Sequence, residues 1–443
     1  MMDLLEGKMT GTPSPDGVST KLQRIAKLAG EAPDMAFTTL AHHIDIGFLR
    51  AAYRRTPNKA PGVDGVTKRA YGENLEENLR SLLDRFKSGR YHAPPVRRRH
   101  IPKGGGKTRP IGIPTLEDKV LQRAVAMTLD AVYEQDFLDC SYGFRPGRSA
   151  HEALQRVWKE IMDIGGGWVL EVDIKSYFDN IDHGHLRSFL DHRVRDGVLR
   201  RLIDKWLKAG VLEDGNIYYP HAGSPQGGVI SPLLSNVYLH EVLDKWFQTE
   251  VRPRLKGWSA LVRYADDFVI IFKRKEDALS CMDVLPKRFG RYGLATHPDK
   301  TRLVEFRPPS GGSGKGTGTF DLLGFTHFWG KSRKGRWIVK KQTAKDRYRR
   351  ALKRTSDWCM RNRHMKVPLQ HRVLKYKMQG HYNYYGVTGN MPAPKRFWHE
   401  VERIWSKWLN RRSSKRHLPW DRFKLLLARY PLPRPVVVHS IYR

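Results

Sequence analysis

The stretch from Trp258 to Lys273 constrains this chain more than any other, because two short runs of strand-forming residues flank a pair of adjacent acids. Each run is rich in Val, Ile, Leu or Phe and is short enough to be a buried strand. Tyr264-Ala265-Asp266-Asp267 falls where the chain must reverse, so the segment reads as a β-hairpin with two carboxylates at its turn. Charges are costly in a core, whereas oxygen ligands at a turn suit a hard cation such as Mg²⁺. A solvated Asp-Asp turn would give the same pattern, so this stretch alone leaves both readings open.

Charge narrows the choice. The 443 residues carry 80 Lys and Arg against 45 Asp and Glu, a formal net charge of +35, which calls for an anionic partner, nucleic acid before all others. From Lys331 to Arg443 there are 31 basic and 5 acidic residues, so this last quarter holds +26 of the excess together with six of the twelve tryptophans. Bases interleaved with aromatics neutralise phosphates and stack on nucleobases. A disordered basic tail would be poor in aromatics, so a folded nucleic-acid-binding region is expected. No apolar stretch is long enough to span a bilayer, and Met1 to Thr20 lacks the apolar core of a secretory signal. The widely spaced Cys140, Cys281 and Cys359 argue against a disulfide framework or a zinc knuckle.

Taken in order, residues 1–35 are rich in Gly, Pro, Ser and Thr and are expected to be a loosely held arm, with a short basic helix near Lys21 to Leu28. Helical spacing follows over Ile46 to Arg55 and through Leu75, Leu79, Leu82, Leu83 and Phe86. Val96 to Pro114 reads as two extended segments around Gly104-Gly105-Gly106, with Lys103 and Arg109 projecting where a triphosphate could be held; a surface hairpin with solvated bases fits equally. Helices are expected over Glu117 to Tyr133 and Ala150 to Ile161, where His151 is read as a surface or packing residue. Trp168 to Ile174 is a β-rich run ending in Asp173, followed by Tyr177-Phe178, while Asp179 and Asp182 are expected to cap or solvate the helix beginning near His183. Gly227 and Gly228 permit close backbone approach by a ligand, and Ser231-Pro232 opens a helix. A further helix is expected from Glu276 to Phe289. Then come a Gly/Ser-rich connector, a short strand over Phe320 to Phe328, and a mostly helical basic region.

Two-metal phosphoryl transfer needs carboxylates from different strands converging on two ions about 4 Å apart. Asp173 at one strand end and Asp266-Asp267 at a turn 93 residues later could supply them.

With these motifs in this order, the chain resembles the reverse transcriptases encoded by group II introns, from about Ile46 to about Val387. Tyr264-Ala265-Asp266-Asp267 resembles the palm's catalytic hairpin and Asp173 the first catalytic aspartate. Ser224-Pro-Gln-Gly-Gly-Val-Ile-Ser-Pro232 resembles the segment that supports the incoming nucleotide, and retron and diversity-generating relatives usually differ in its first five residues. Tyr142-Gly-Phe-Arg-Pro-Gly-Arg148, Leu323-Gly-Phe325 and Gly380-His-Tyr-Asn-Tyr-Tyr-Gly386 are similar to a family hallmark, the primer-grip region and the maturase or thumb signature. The resemblance implies an α/β (α+β) right-hand polymerase fold with an α-helical thumb. Its expected divisions are an N-terminal arm (1–35), fingers and palm (36–307), a connector (308–319), the primer grip (320–330) and a basic thumb or maturase domain (331–443).

By the same resemblance, Asp173, Asp266 and Asp267 would hold two Mg²⁺ ions, helped by the Ile174 carbonyl, with Mn²⁺ a possible substitute. Lys103 and Arg109 would neutralise the triphosphate of a dNTP. Phe178 would exclude a ribose 2′-hydroxyl, although the residues alone do not decide whether Tyr177 or Phe178 is core. Gln226 would line the nucleotide pocket, and Lys300 matches the lysine of the motif after the hairpin. The implied function is RNA-directed DNA polymerisation on intron or template RNA from a DNA primer or target, with help to splicing and retrohoming. The expected setting is the bacterial cytoplasm, at the nucleoid when acting on DNA, with no membrane partner.

One departure matters. Many members end in a DNA-binding segment and an HNH-type endonuclease with paired cysteines and histidines, whereas about 55 cysteine-free residues follow Gly386 here. Loss of second-strand cleavage is therefore expected, with the primer coming from elsewhere, such as a nascent strand at a replication fork. A pure splicing cofactor is an alternative that need not keep the aspartates, and a domesticated enzyme of phage defence or spacer acquisition is another.

Overall fold

The computed structural model describes residues 17–104, 107–213, 215–219, 223, 227–309, 318–413 and 417–440, and the side chains of residues 103, 104 and 107 lie outside that description. Helices open the chain: α1 (Gly17–Glu31), α2 (Ile46–Arg55), α3 (Lys68–Glu73) and α4 (Leu75–Lys87), followed by the hairpin β1 (Val96–Gly104) and β2 (Lys107–Ile113). Next come α5 (Leu116–Tyr133), α6 (Ala150–Ile164), β3 (Gly167–Val172), α7 (His183–Asp191), α8 (Gly197–Leu207), β4 (Val211–Glu213), β5 (Asn216–Tyr218) and α9 (Ser231–Leu239). The acidic hairpin is β6 (Ser259–Tyr264) and β7 (Asp267–Phe272), and α10 (Lys275–Gly290) and β8 (Arg302–Phe306) follow it. Last are β9 (Phe320–Leu322), β10 (Phe325–Lys331), β11 (Trp337–Thr343), α11 (Lys345–Arg361), α12 (Val367–Tyr385), α13 (Pro392–Asn410) and α14 (Trp420–Arg429).

The central sheet is antiparallel, in the order β6-β7-β3-β8. Leu170, Val172, Phe268, Ile270 and Phe272 enter the main core with α9 and α10, while Val169, Val262, Val269 and Ile271 enter a second core with α6 and β9 to β11. Successive side chains point to opposite faces, and both faces are covered here, which is why the strands read as unbroken apolar runs. A second sheet, β2-β1-β4-β5, carries the glycine hairpin. Helix α5 is buried around nearly its whole circumference, with α1 and α2 packed against it.

Two expectations need correction. Much of the N-terminal segment is folded: α1 buries Val18, Ile25 and Ala29, and the buried Arg193 donates to the carbonyls of Ala29, Ala32, Pro33 and Met35. One guanidinium thus holds a carbonyl from the last turn of α1, which the helix leaves without a partner, together with three from the segment that follows it. Residues 1–16 lie outside the described residues, as do residues 310–317 of the connector. The strand expected over Phe320 to Phe328 is broken by Leu323 and Gly324, both with positive φ (51° and 78°), so the chain folds back as β9 and β10. The basic region is mostly helical from Lys345 onward, after β11 has completed a β11-β10-β9 sheet. Asp182 does cap α7, accepting from the His185 amide at 2.8 Å, whereas Asp179 lies in a short 3₁₀ turn before it. His151 is a packing residue. Its Nε2 lies 2.9 Å from the Tyr384 carbonyl, its ring stacks on His439, and burial lowers its pKa to about 4, leaving it neutral.

Candidate active site

Register brings the acids together. β3 pairs with β7 so that Val172 faces Phe268, and one step further Asp173 leaves β3 beside Asp267. The β6–β7 hairpin closes at Tyr264 opposite Asp267, with Ala265 and Asp266 forming the turn. Ala265 has a φ of 56°, rare for a residue with a Cβ. Enclosure in the cleft, and then the like charges of Asp266 and Asp173, push the Asp267 carboxyl up to about 6, against the pull of Arg347 and Arg109. Its side chain still reaches solvent, so we assign more of this shift to like charge than to dehydration.

Two of the sequence-derived cations, Lys300 and Arg109, act on these acids. Lys300 donates to Asp173 Oδ2 at 2.9 Å, and the His297 amide donates to the Asp173 carbonyl at 2.8 Å. Ile174 is buried in an antiparallel bridge to Thr296 that uses Asp173 C=O and Lys175 N–H, so its own carbonyl faces the other way. Arg109, exposed on β2, is near enough for its charge to act on Asp267. Tyr177 is the core member of the aromatic pair: it is 2 % exposed and donates to the Ser235 carbonyl, while Phe178 is half-buried, edge-on to it at 5.3 Å. The Lys103 side chain and Gln226 lie outside the described residues.

Glycines that read as room for a ligand mostly admit the chain itself. A Cβ on Gly227 would stand 2.4 Å from the Gly112 carbonyl oxygen of β2, and one on Gly223 would stand 3.0 Å from the Phe178 carbonyl oxygen. Both have positive φ, and Gly227 lies pressed against the glycine hairpin as Gly223 does against the backbone of the aromatic pair.

Sequence reasoning missed Arg347 and Tyr384. Both act electrostatically near Asp267, and the Tyr384 hydroxyl donates to the Leu323 carbonyl at 2.8 Å, tying α12 to the β9–β10 turn. Arg347 has nothing local to mark it, and Tyr384 falls within the Gly380 to Gly386 signature, which gives no sign of its place near Asp267.

Among the described residues, no three metal-binding side chains close into a ready-made cage. The donors nevertheless fit a hard divalent cation. They are carboxylates, their mutual repulsion raises Asp267, and Lys300 already supplies positive charge to Asp173. A catalytic site that shares its ions with a substrate's phosphates needs fewer protein ligands than a closed structural one.

Residues 101–327 match the family model described as reverse transcriptase (RNA-dependent DNA polymerase). The chain is 40 % identical to Protein YkfC of Escherichia coli (strain K12) over 276 residues, covering 55 % of this chain and 72 % of that protein. It is 41 % identical over 230 residues to the group II intron-encoded protein LtrA of Lactococcus lactis subsp. cremoris, covering 51 % of this chain but 38 % of LtrA. Nuclear intron maturase 2, mitochondrial, of Arabidopsis thaliana is 30 % identical over 176 residues, covering 31 % of this chain and 24 % of that protein.

Proposed function

The chain belongs to the reverse transcriptase family, in its group II intron-encoded branch, and from that premise we propose that it copies RNA into DNA at the cleft around Asp173, Asp266 and Asp267. The convergence of these three carboxylates from two paired strands, with Asp267 raised to about 6 by its neighbours, carries the reading.

Asp173, Asp266 and Asp267, with the Ile174 carbonyl, hold two divalent ions, Mg²⁺ with Mn²⁺ as a substitute. When bound, such a pair stabilises charge on the attacking and leaving oxygens of the transferred phosphoryl group. Arg109 and Lys103 on the glycine hairpin neutralise and orient the triphosphate of the incoming dNTP. Phe178, its ring edge-on to Tyr177, excludes a ribose 2′-hydroxyl. Gln226 lines the nucleotide pocket, and Lys300 and Arg347 reduce the like-charge repulsion among the acids. In right-hand terms, α1 to α5 with the β2-β1-β4-β5 sheet are the fingers, the β6-β7-β3-β8 sheet is the palm, and α11 to α14 are the thumb. The thumb's exposed bases hold the template–primer duplex and the intron RNA whose splicing the protein assists.

Extension of a DNA primer on purified RNA with Mg²⁺ and dNTPs tests the proposal. The protein is expected to make full-length cDNA, and the Asp266→Ala/Asp267→Ala variant to lose at least about a thousandfold in rate. A double variant that still polymerised would remove the site from the proposal.

A further inference from the structure

The mechanism leaves unused a charge sealed beneath the catalytic turn. Arg263 is fully buried one residue before Tyr264, in a strand otherwise made of Ser, Ala, Leu, Val and Tyr. We infer that Arg263 is a positioning residue: through Asp244 and Asn236 it fixes the Ala265 carbonyl, and so the direction in which Asp266 and Asp267 leave the turn. The inference rests on the polymerase reading of those aspartates.

Four hydrogen bonds account for the guanidinium. Nε donates to Asp244 Oδ1 at 2.8 Å and one terminal nitrogen to Asp244 Oδ2 at 2.5 Å. The other terminal nitrogen divides between Asn236 Oδ1 and the Ala265 carbonyl, both at 3.0 Å. Asn236 then donates its own amide to the Gly143 carbonyl at 2.7 Å. Gly143 lies against the turn so closely that a Cβ there would stand 2.2 Å from the Ala265 nitrogen. The backbone completes the ring: the Arg263 amide donates to the Cys140 carbonyl at 2.8 Å, and its carbonyl accepts from Tyr142 at 2.9 Å. The turn is therefore held from inside by a side chain, from below by an amide and from the side by a backbone.

Three features set this ring apart from ordinary packing. A fully buried ion pair is not an economical way to stabilise a core, since apolar residues of equal volume commonly do as well or better. Ala265 also holds a left-handed φ, which persists only where its surroundings over-determine it, and the Arg263 contact falls on the carbonyl of that residue. Asp244 itself sits on a π-helical stretch, His240–Lys245, that continues α9. Such irregular turns recur at functional sites, and this one carries the carboxylate that orients Arg263.

The test compares Arg263→Lys, which keeps the charge but loses the fork, with Asn236→Leu, which keeps volume but breaks the ring. Each is made alone and with Ala265→Gly, which adopts positive φ without strain. Turnover, KM for dNTP, thermal melting and Mn²⁺ affinity by electron paramagnetic resonance in the absence of substrate are measured. We expect both single variants to stay folded and bind RNA normally, with unchanged KM, about 100-fold lower turnover and weaker Mn²⁺ binding. Ala265→Gly should restore part of the loss. Wild-type turnover and Mn²⁺ affinity in Asn236→Leu would overturn the inference, as would losses in proportion to melting temperature that Ala265→Gly does not relieve. Failure of the polymerase reading would instead appear as wild-type protein that makes no cDNA, while Mn²⁺ binding would still report on the turn.

Discussion

The central sheet and the C-terminal helices treat charge in opposite ways. Under the acidic turn, Arg263 and Asp244 are both fully buried, and Asp173, Asp266 and Asp267 are crowded until one of them resists ionising. In α11 to α14 the interior is aromatic and aliphatic: Trp405 is fully buried with its indole nitrogen on Gln370 Oε1, among Tyr382, Phe397 and Phe423. The bases stay outside, with Lys377 over Trp358 and Arg411 over Trp408. Removing one partner of the sealed pair should cost about 3–5 kcal/mol. An exposed pair such as Lys353–Asp357 contributes about 0–1 kcal/mol. Charge is buried where a direction must be fixed and left in water where a polyanion is to be met.

Three experiments would break or sharpen that contrast. The largest effect is expected from neutralising Lys366, Arg372 and Lys375 together, exposed bases of α12 and its start. RNA affinity should fall roughly tenfold or more, and the slope of log affinity against log salt should flatten by about 1 for each phosphate left without its cation, while extension by complexes already formed stays unchanged. A variant that bound normally but extended slowly would show the helices doing more than holding RNA. A smaller loss is expected for Tyr376→Ala, whose ring is 70 % exposed on the same helix. Loss of one stacking platform should weaken binding by about 1 kcal/mol, roughly fivefold, with little change in salt slope. The smallest effect concerns stability. Because the Asp267 pKa is raised in the folded state, the unfolded chain loses that proton first. Stability from this group is therefore greatest below the ordinary carboxylate pKa and declines as pH rises to about 6. Metal-free Asp267→Asn should melt a few degrees higher than wild type at pH 7.5, with the gap closing at pH 4.

Some of this was legible in the sequence. Acids interrupting strand-forming runs mark Asp173, Asp266 and Asp267, because such runs are otherwise sealed on both faces. The pair Tyr177-Phe178 was not decidable, since burial depends on which ring meets Ser235 across the fold. Helix α1 looked loose because its anchor, Arg193, lies 164 residues from the Ala29 carbonyl it holds. Arg263 is visible as a lone charge in an apolar run, but Asp244 reads as an ordinary helical acid until the π-helical turn aims it inward. Arg347 gives no local sign, and the motif around Tyr384 does not point to the acids, because both residues come near them through packing of α11 and α12 against the β9–β10 turn.

Asp173 is the acid farthest in sequence from the turn it joins, and the active-site assignment stands on it. Single-turnover extension by Asp173→Asn on a preformed RNA–DNA primer–template, with affinity for that duplex measured alongside, tests it most directly. Binding at the wild-type level with extension reduced at least about a hundredfold is predicted. Extension at the wild-type rate would contradict the convergence of β3 and the β6–β7 turn on one catalytic site.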